Sequence, residues 1–135
     1  MQATREETNM AAALSFVRAV ETMDGRKMEG FFAADVEQVE MPNAFKPAGQ
    51  VRDFSALKAD IDKSKGIIEQ QKYEILNTVS RGDLVVLEMV WHGTVVTDLP
   101  PLRAGQKLRA QCVAVFEFRE GKVVRLRNYD CFDAL

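Results

Sequence analysis

Residues 106–132, QKLRAQCVAVFEFREGKVVRLRNYDCF, decide how this chain folds. Apolar residues recur at every second position. Ala110, Cys112, Ala114, Phe116 and Phe118 share one side of an extended chain, with Glu117 and Arg119 opposite. Glu120-Gly121-Lys122 is a turn between two such runs, so the stretch reads as an antiparallel hairpin. In the second run Val124 and Leu126 are expected on the core face, and alternation carries Asn128 and Asp130 to that same face. Polar groups beside apolar ones at a strand end read two ways. They form a pocket floor with groups for a ligand, or the strand is running out into solvent.

Upstream, QKYEILNTVS (71–80), the turn Arg81-Gly82-Asp83 and LVVLEMVWHGTVV (84–96) repeat the period of two and make another hairpin. TDLPPLRAG (97–105) is the loop crossing to the last one. The first half of the chain has the helical period instead. Thr4 and Glu7 fit a capping box, and Met10, Ala13, Leu14, Val17 and Val20 follow at helical spacing. Asp24-Gly25 ends that helix, and Asp24 can cap a short second one carrying Met28, Phe31 and Phe32. VEQVEM (36–41) is a brief strand stopped by Pro42, and PNAFKPAGQ (42–50) is a loop. Phe54, Leu57 and Ile61 mark a third helix ending near Gly66. Helices first and a long meander after them give an α+β chain.

With 135 residues, the chain is long enough for one core without staples, and 1–135 is expected to be a single domain. A net charge of −2 argues against nucleic acid or an anionic membrane as partner. The basic residues of the last hairpin, Arg103, Lys107, Arg109, Arg125 and Arg127, have acidic neighbours and read as a solvated rim. No apolar run reaches the length of a membrane span, and MQATREETNM lacks the apolar stretch of a signal peptide. Cys112 and Cys131 have no metal-type spacing and read as free thiols, which points to a reducing cytoplasm. His92, the only histidine, falls on the outer face. No metal and no other cofactor is expected. Val113 and Val115 lie opposite Phe116, joined by Val86 and Val90. A sheet apolar on both faces needs a second cover, so a homodimer through the outer sheet face is predicted.

LPP (99–101) and AGQKL (104–108), leading into FREGKVVRLRNYDCFD (118–133), resemble the SnoaL-like branch of the NTF2-like superfamily. FVRAVETMDGRKMEGFFAADVEQVEMP (16–42) looks like that family's two-helix opening and first strand. The group includes polyketide cyclases, ketosteroid isomerase and limonene epoxide hydrolase. The resemblance implies an NTF2-like cone: three N-terminal helices packed on a curved antiparallel sheet, with an apolar pocket at the open end. It further implies a small apolar molecule in that pocket. The residues expected to line it are Phe16, Val20, Phe32, Met41, Met89, Trp91, Ala114 and Phe116.

The family's catalytic sets are broken at matching positions. The acid/base aspartate of the cyclases is matched by Asn128, and their histidine by Ala114. The Arg-x-Asp of the epoxide hydrolase is matched by Met89-Val90-Trp91. The isomerase's tyrosine and base aspartate are matched by Phe16 and Met41. An amide cannot shuttle a proton near neutral pH. Glu40 and Asp130 are therefore the carboxylates left for acid/base work, with Asn128 orienting a substrate or water. The epoxide hydrolase resemblance puts Gln38 and Glu40 where that enzyme holds its water. Alternation alone turns Val39 and Met41 inward and Glu40 to solvent, and it allows Asp130 and Asp133 to solvate the chain end. Two classes of function stay open. One is a cofactor-independent isomerase, cyclase or hydrolase acting on an apolar substrate. The other is a non-catalytic ligand-binding or dimeric interaction module.

Overall fold

Thr4 starts the first helix: its hydroxyl accepts from the Glu7 amide at 3.1 Å, and the Glu7 carboxylate answers the Thr4 amide. This is the predicted capping box. In the computed structural model, which describes residues 3–135, helix α1 spans Arg5–Glu21 and buries Ala13, Phe16 and Val17. Asp24 caps a 3-10 helix, Gly25–Phe31, by accepting from the Arg26 amide. Strand β1 (Phe32–Glu40) follows, then a three-residue strand β2 (Gln50–Arg52) and helix α2 (Phe54–Ser64), capped by Asp53. The second half is β3 (Ile68–Arg81), β4 (Leu84–Val95), β5 (Lys107–Arg119) and β6 (Lys122–Phe132).

These strands form one curved, unclosed sheet in the order β2-β1-β6-β5-β4-β3. The α+β cone with helices on one sheet face is thus the fold. Its sheet is mixed, because β1 pairs parallel with β6 while the other pairs are antiparallel. Glu120 and Gly121 join β5 to β6 with φ of 52° and 79°. Positive φ at both positions is what a two-residue type I′ hairpin requires.

The core lies between the helices and the concave face. Phe16 is its hub: its ring meets Phe31, Phe32 and Phe116 edge-on at centroid distances of 5.7, 5.3 and 5.6 Å. Gly93 on β4 leaves room for the Trp91 indole, since a Cβ there would lie 2.7 Å from Cζ2 of the ring.

Two departures from simple alternation shape the concave face. On β6 a bulge pairs Glu117 with Arg125 and Phe118 with Val123. Val123, rather than the expected Val124, is therefore fully buried, while Leu126 remains inward. On β1 the inward residues are Phe32, Val36 and Gln38, with Glu40 following in the same register. Alternation had assigned Val39 and Met41 to that side.

Candidate functional site

A cavity of about 300 Å³ opens between α1, α2 and the concave face. Its apolar walls include Phe16, Val20, Met28 and Leu57 from the helical layer, and Met89, Trp91, Ala114 and Phe116 from β4 and β5. Its polar end is made by Gln38 and Glu40 of β1, Arg52 of β2, Asp60 of α2, and Asn128 and Asp130 of β6.

The strand register explains why these groups meet. Gln38 pairs with Arg52 on one side and with Leu126 on the other, and Glu40 pairs with Gln50 and Asn128. β1 is thus the middle rung between β2 and β6, and its even-numbered side chains reach both neighbours. Leu57, Asp60, Ile61 and Ser64 recur at helical spacing, which turns Asp60 toward the cavity on the same face as the apolar residues of α2.

Arg52 is the centre of this cluster. Its Nη1 donates to Asp60 Oδ2 at 2.7 Å, its Nη2 to Glu40 Oε1 at 3.3 Å, and its Nε to Gln38 Oε1 at 2.9 Å. Glu40 also accepts from Gln50 Nε2 and Asn43 Nδ2, both at 2.8 Å. A carboxylate with three donors is a structural anchor, because its lone pairs are largely committed. Glu40 therefore faces the cavity, against the expectation from alternation, and does so clamped. The inward turn of β1 follows from this clamp: Gln38 and Glu40 find partners on the concave side that solvent would otherwise supply.

Asp130 is different. It lines the cavity opposite Cys112, its register partner on β5. No side-chain cation pairs with it among the described residues. Burial raises its carboxyl above the ordinary range, and the negative charge of Glu40 adds to that; the Cys112 thiol and Arg52 pull the other way. Burial, with the nearby Asp130 charge, likewise raises the Tyr73 phenol and the Cys112 thiol. Both stay protonated at neutral pH, so neither is an anionic nucleophile. Trp91 is fixed by donating Nε1 to Gln71 Oε1 at 2.9 Å, and Gln71 in turn donates to the Val20 carbonyl.

Of the expected lining, Phe16, Val20, Met89, Trp91, Ala114 and Phe116 are in the wall. Phe32 is not: it is core, packed on Phe16 and Phe54. Met41 is not either. It follows the last residue of β1, where its backbone amide donates to the Asn128 carbonyl at 2.9 Å. Glu40, Asn128 and Asp130 come together at the polar end. Asp133 is exposed and pairs with Arg109, so the solvated chain end begins after Phe132. His92 is exposed, as expected of the outer face, and Tyr129 is exposed as well. Arg52 and Asp60 were not anticipated. Arg52 sits in a strand of three residues, too short to show a period, whereas the spacing of Asp60 with Leu57 and Ser64 was a usable signal.

Comparison with known proteins agrees with this fold. The sequence model of the SnoaL-like domain matches residues 13–126. Among solved structures the chain is similar to the proposed polyketide cyclase IdmH of Streptomyces antibioticus, at 17% identity and a TM-score of 0.77, covering 90% of this chain and 91% of that one. A proposed polyketide cyclase of Xanthomonas campestris is similar at 20% identity and a TM-score of 0.77, over 93% and 92% of the two chains. An NTF2-like protein of Burkholderia xenovorans is similar at 20% identity and a TM-score of 0.72, over 95% and 92%. At these identities the likeness is one of fold. Comparison with curated proteins gives no significant match.

Proposed function

The chain belongs to the SnoaL-like family, and we propose that within it this protein is a cofactor-independent acid–base enzyme for a small, largely apolar, uncharged substrate. The observation that carries the reading is Asp130, a carboxyl in the cavity wall whose proton affinity is raised by burial while Glu40 is tied up by three donors. The carboxylate would take a proton from one atom of the substrate, or from a water that adds to it, and return it to another substrate atom, completing an isomerisation, a ring closure or an addition of water. Asn128, on the same face of β6, would hold the polar atom whose charge changes. The relatives described as proposed polyketide cyclases support chemistry of this kind. Arg52 is the only cationic side chain in the cavity wall among the described residues, and it faces Glu40 and Asp60. No positive charge is spare, which favours an uncharged ligand. The second reading, a binding module without turnover, uses the same cavity and differs only in what Asp130 does.

Trp91 makes binding measurable, because it is the only tryptophan and stands in the cavity wall. Titration with a panel of uncharged aromatic ketones and lactones is expected to quench or shift its fluorescence saturably. No response across the whole panel would sink the proposal that the cavity takes such molecules.

Assembly is a second proposal. Val79, Val86 and Val115 form one row across the outer face of β3, β4 and β5, with Val113 and Tyr129 beside it. Val79 is 60% exposed and Tyr129 40%. We infer that a second copy covers this patch. Sedimentation at micromolar concentration should give a dimer, and Val115→Glu should give a monomer by burying a charge without a partner. A wild-type monomer under those conditions would end the idea. No helix among the described residues is long and apolar enough to cross a membrane. The two free cysteines fit a reducing compartment, which we take to be the cytoplasm.

A further inference from the structure

Gln38 and Asn128 are both amides, and an amide can turn either its oxygen or its NH₂ to a neighbour. Arg52 removes that choice. A guanidinium has donors only, and Arg52 Nε donates to Gln38 Oε1 at 2.9 Å. The other face of the Gln38 amide is then Nε2, which donates to Asn128 Oδ1 at 2.7 Å. With its oxygen turned to Gln38, Asn128 presents its NH₂ on the other side of the amide. That NH₂ has no acceptor among the described residues, yet it is not sealed away from accessible space. Asn128 lines the cavity. Arg52 cannot swing out of the arrangement, because Asp60 and Glu40 hold its other two nitrogens, and Gln38 is almost fully buried.

We propose that Arg52 is a positioning residue that acts through Gln38 to fix the Asn128 amide with its N–H donors toward the ligand. The cavity thereby selects a molecule that offers an acceptor atom next to Asp130. The selectivity rests on the cavity being a binding site, as proposed above; the orientation of the amides does not.

Gln38→Glu tests the relay almost isosterically. A carboxylate at position 38 still accepts from Arg52, but toward Asn128 it can only accept. Asn128 must then rotate, donating to that carboxylate and showing its oxygen to the cavity. Side-chain ¹⁵N–¹H spectra read this without a ligand. In the wild type the Gln38 NH₂ should be protected from water exchange and the Asn128 NH₂ should exchange freely. In Gln38→Glu the Asn128 NH₂ should slow by about three- to tenfold, the equilibrium effect of one hydrogen bond. A protected Asn128 NH₂ in the wild type, or one unchanged by Gln38→Glu, overturns the relay.

Two neutral bicyclic probes then read the selectivity. The acceptor 1-indanone should bind the wild type several-fold tighter than the donor indole, and Gln38→Glu should reverse the order. An unchanged order in the variant also overturns the proposal. If Gln38→Glu does not fold, Asn128→Asp serves instead: it still accepts from Gln38 but brings no donor, so the preference for 1-indanone should vanish, and its persistence would count against the relay. Correct exchange behaviour with neither probe bound would uphold the relay and count against the cavity as a binding site.

Discussion

Asp130→Asn is expected to lower turnover of a substrate of this cavity by about 10²–10⁴, the usual contribution of a positioned general acid or base. The same change should make the protein more stable at neutral pH. The folded state favours the protonated carboxyl, chiefly because Asp130 is buried and secondarily because Glu40 is near. Its pKa is thus higher folded than unfolded, and the folded state binds more protons between the two values. Stability accordingly falls as pH rises through that window and stays reduced above it. Asparagine has no proton to lose, so the penalty disappears. The gain in melting temperature should be absent below about pH 3, where aspartate is protonated in both states, and should grow as pH rises through the window between the unfolded and the raised folded pKa. Thermal melts of the two proteins across that range check the sign. Loss of activity together with added stability marks a group held in an unfavourable environment for its chemistry. If Asp130→Asn kept its rate on a substrate identified through Trp91, the acid–base role of Asp130 would fail; saturable binding with no turnover by the wild type would leave the binding module standing.

Most of the architecture is legible in the sequence because it rests on repeated signals. The alternation of Ala110 to Phe118 and the spacing of Met10 to Val20 each extend over several residues, and Thr4 with Glu7 gives a local start signal. The polar end of the cavity is harder to read because it depends on single residues and single bulges. On β1, alternation read from the apolar residues of VEQVEM turns Val39 and Met41 inward, whereas the structure turns Val36, Gln38 and Glu40 inward. The decision is made by Arg52, fourteen residues from Gln38 in sequence and directly opposite it in the register. A one-residue bulge moved the inward position from Val124 to Val123, but it lies before Leu126. Leu126, Asn128 and Asp130 therefore kept the side that alternation from Leu126 implies. Asn128, which matches the family's acid/base position, lines the cavity, and a carboxyl, Asp130, lies two residues further along the same face.

Phe116→Ala is the substitution expected to cost most in stability, about 3–5 kcal/mol. The ring is 0% exposed, lies edge-on to Phe16 at 5.6 Å and stacks beside Phe118 at 6.2 Å. It is at once a fully buried core residue and part of the cavity wall. That double position decides how the loss would behave. In a sealed core, neighbouring side chains can collapse partway into a new void and recover part of the loss. Here the vacated space opens onto a cavity that already exists, so the walls have little to collapse against, and the cost should sit toward the upper part of the range. Against a total stability of about 5–15 kcal/mol for a domain, the variant should unfold at a much lower denaturant concentration. An apolar void also accepts an apolar guest. Toluene or benzene should therefore raise the melting temperature of Phe116→Ala more than that of the wild type. A cost below about 1 kcal/mol, or equal effects of the guest on both proteins, would show that Phe116 does not divide core from cavity.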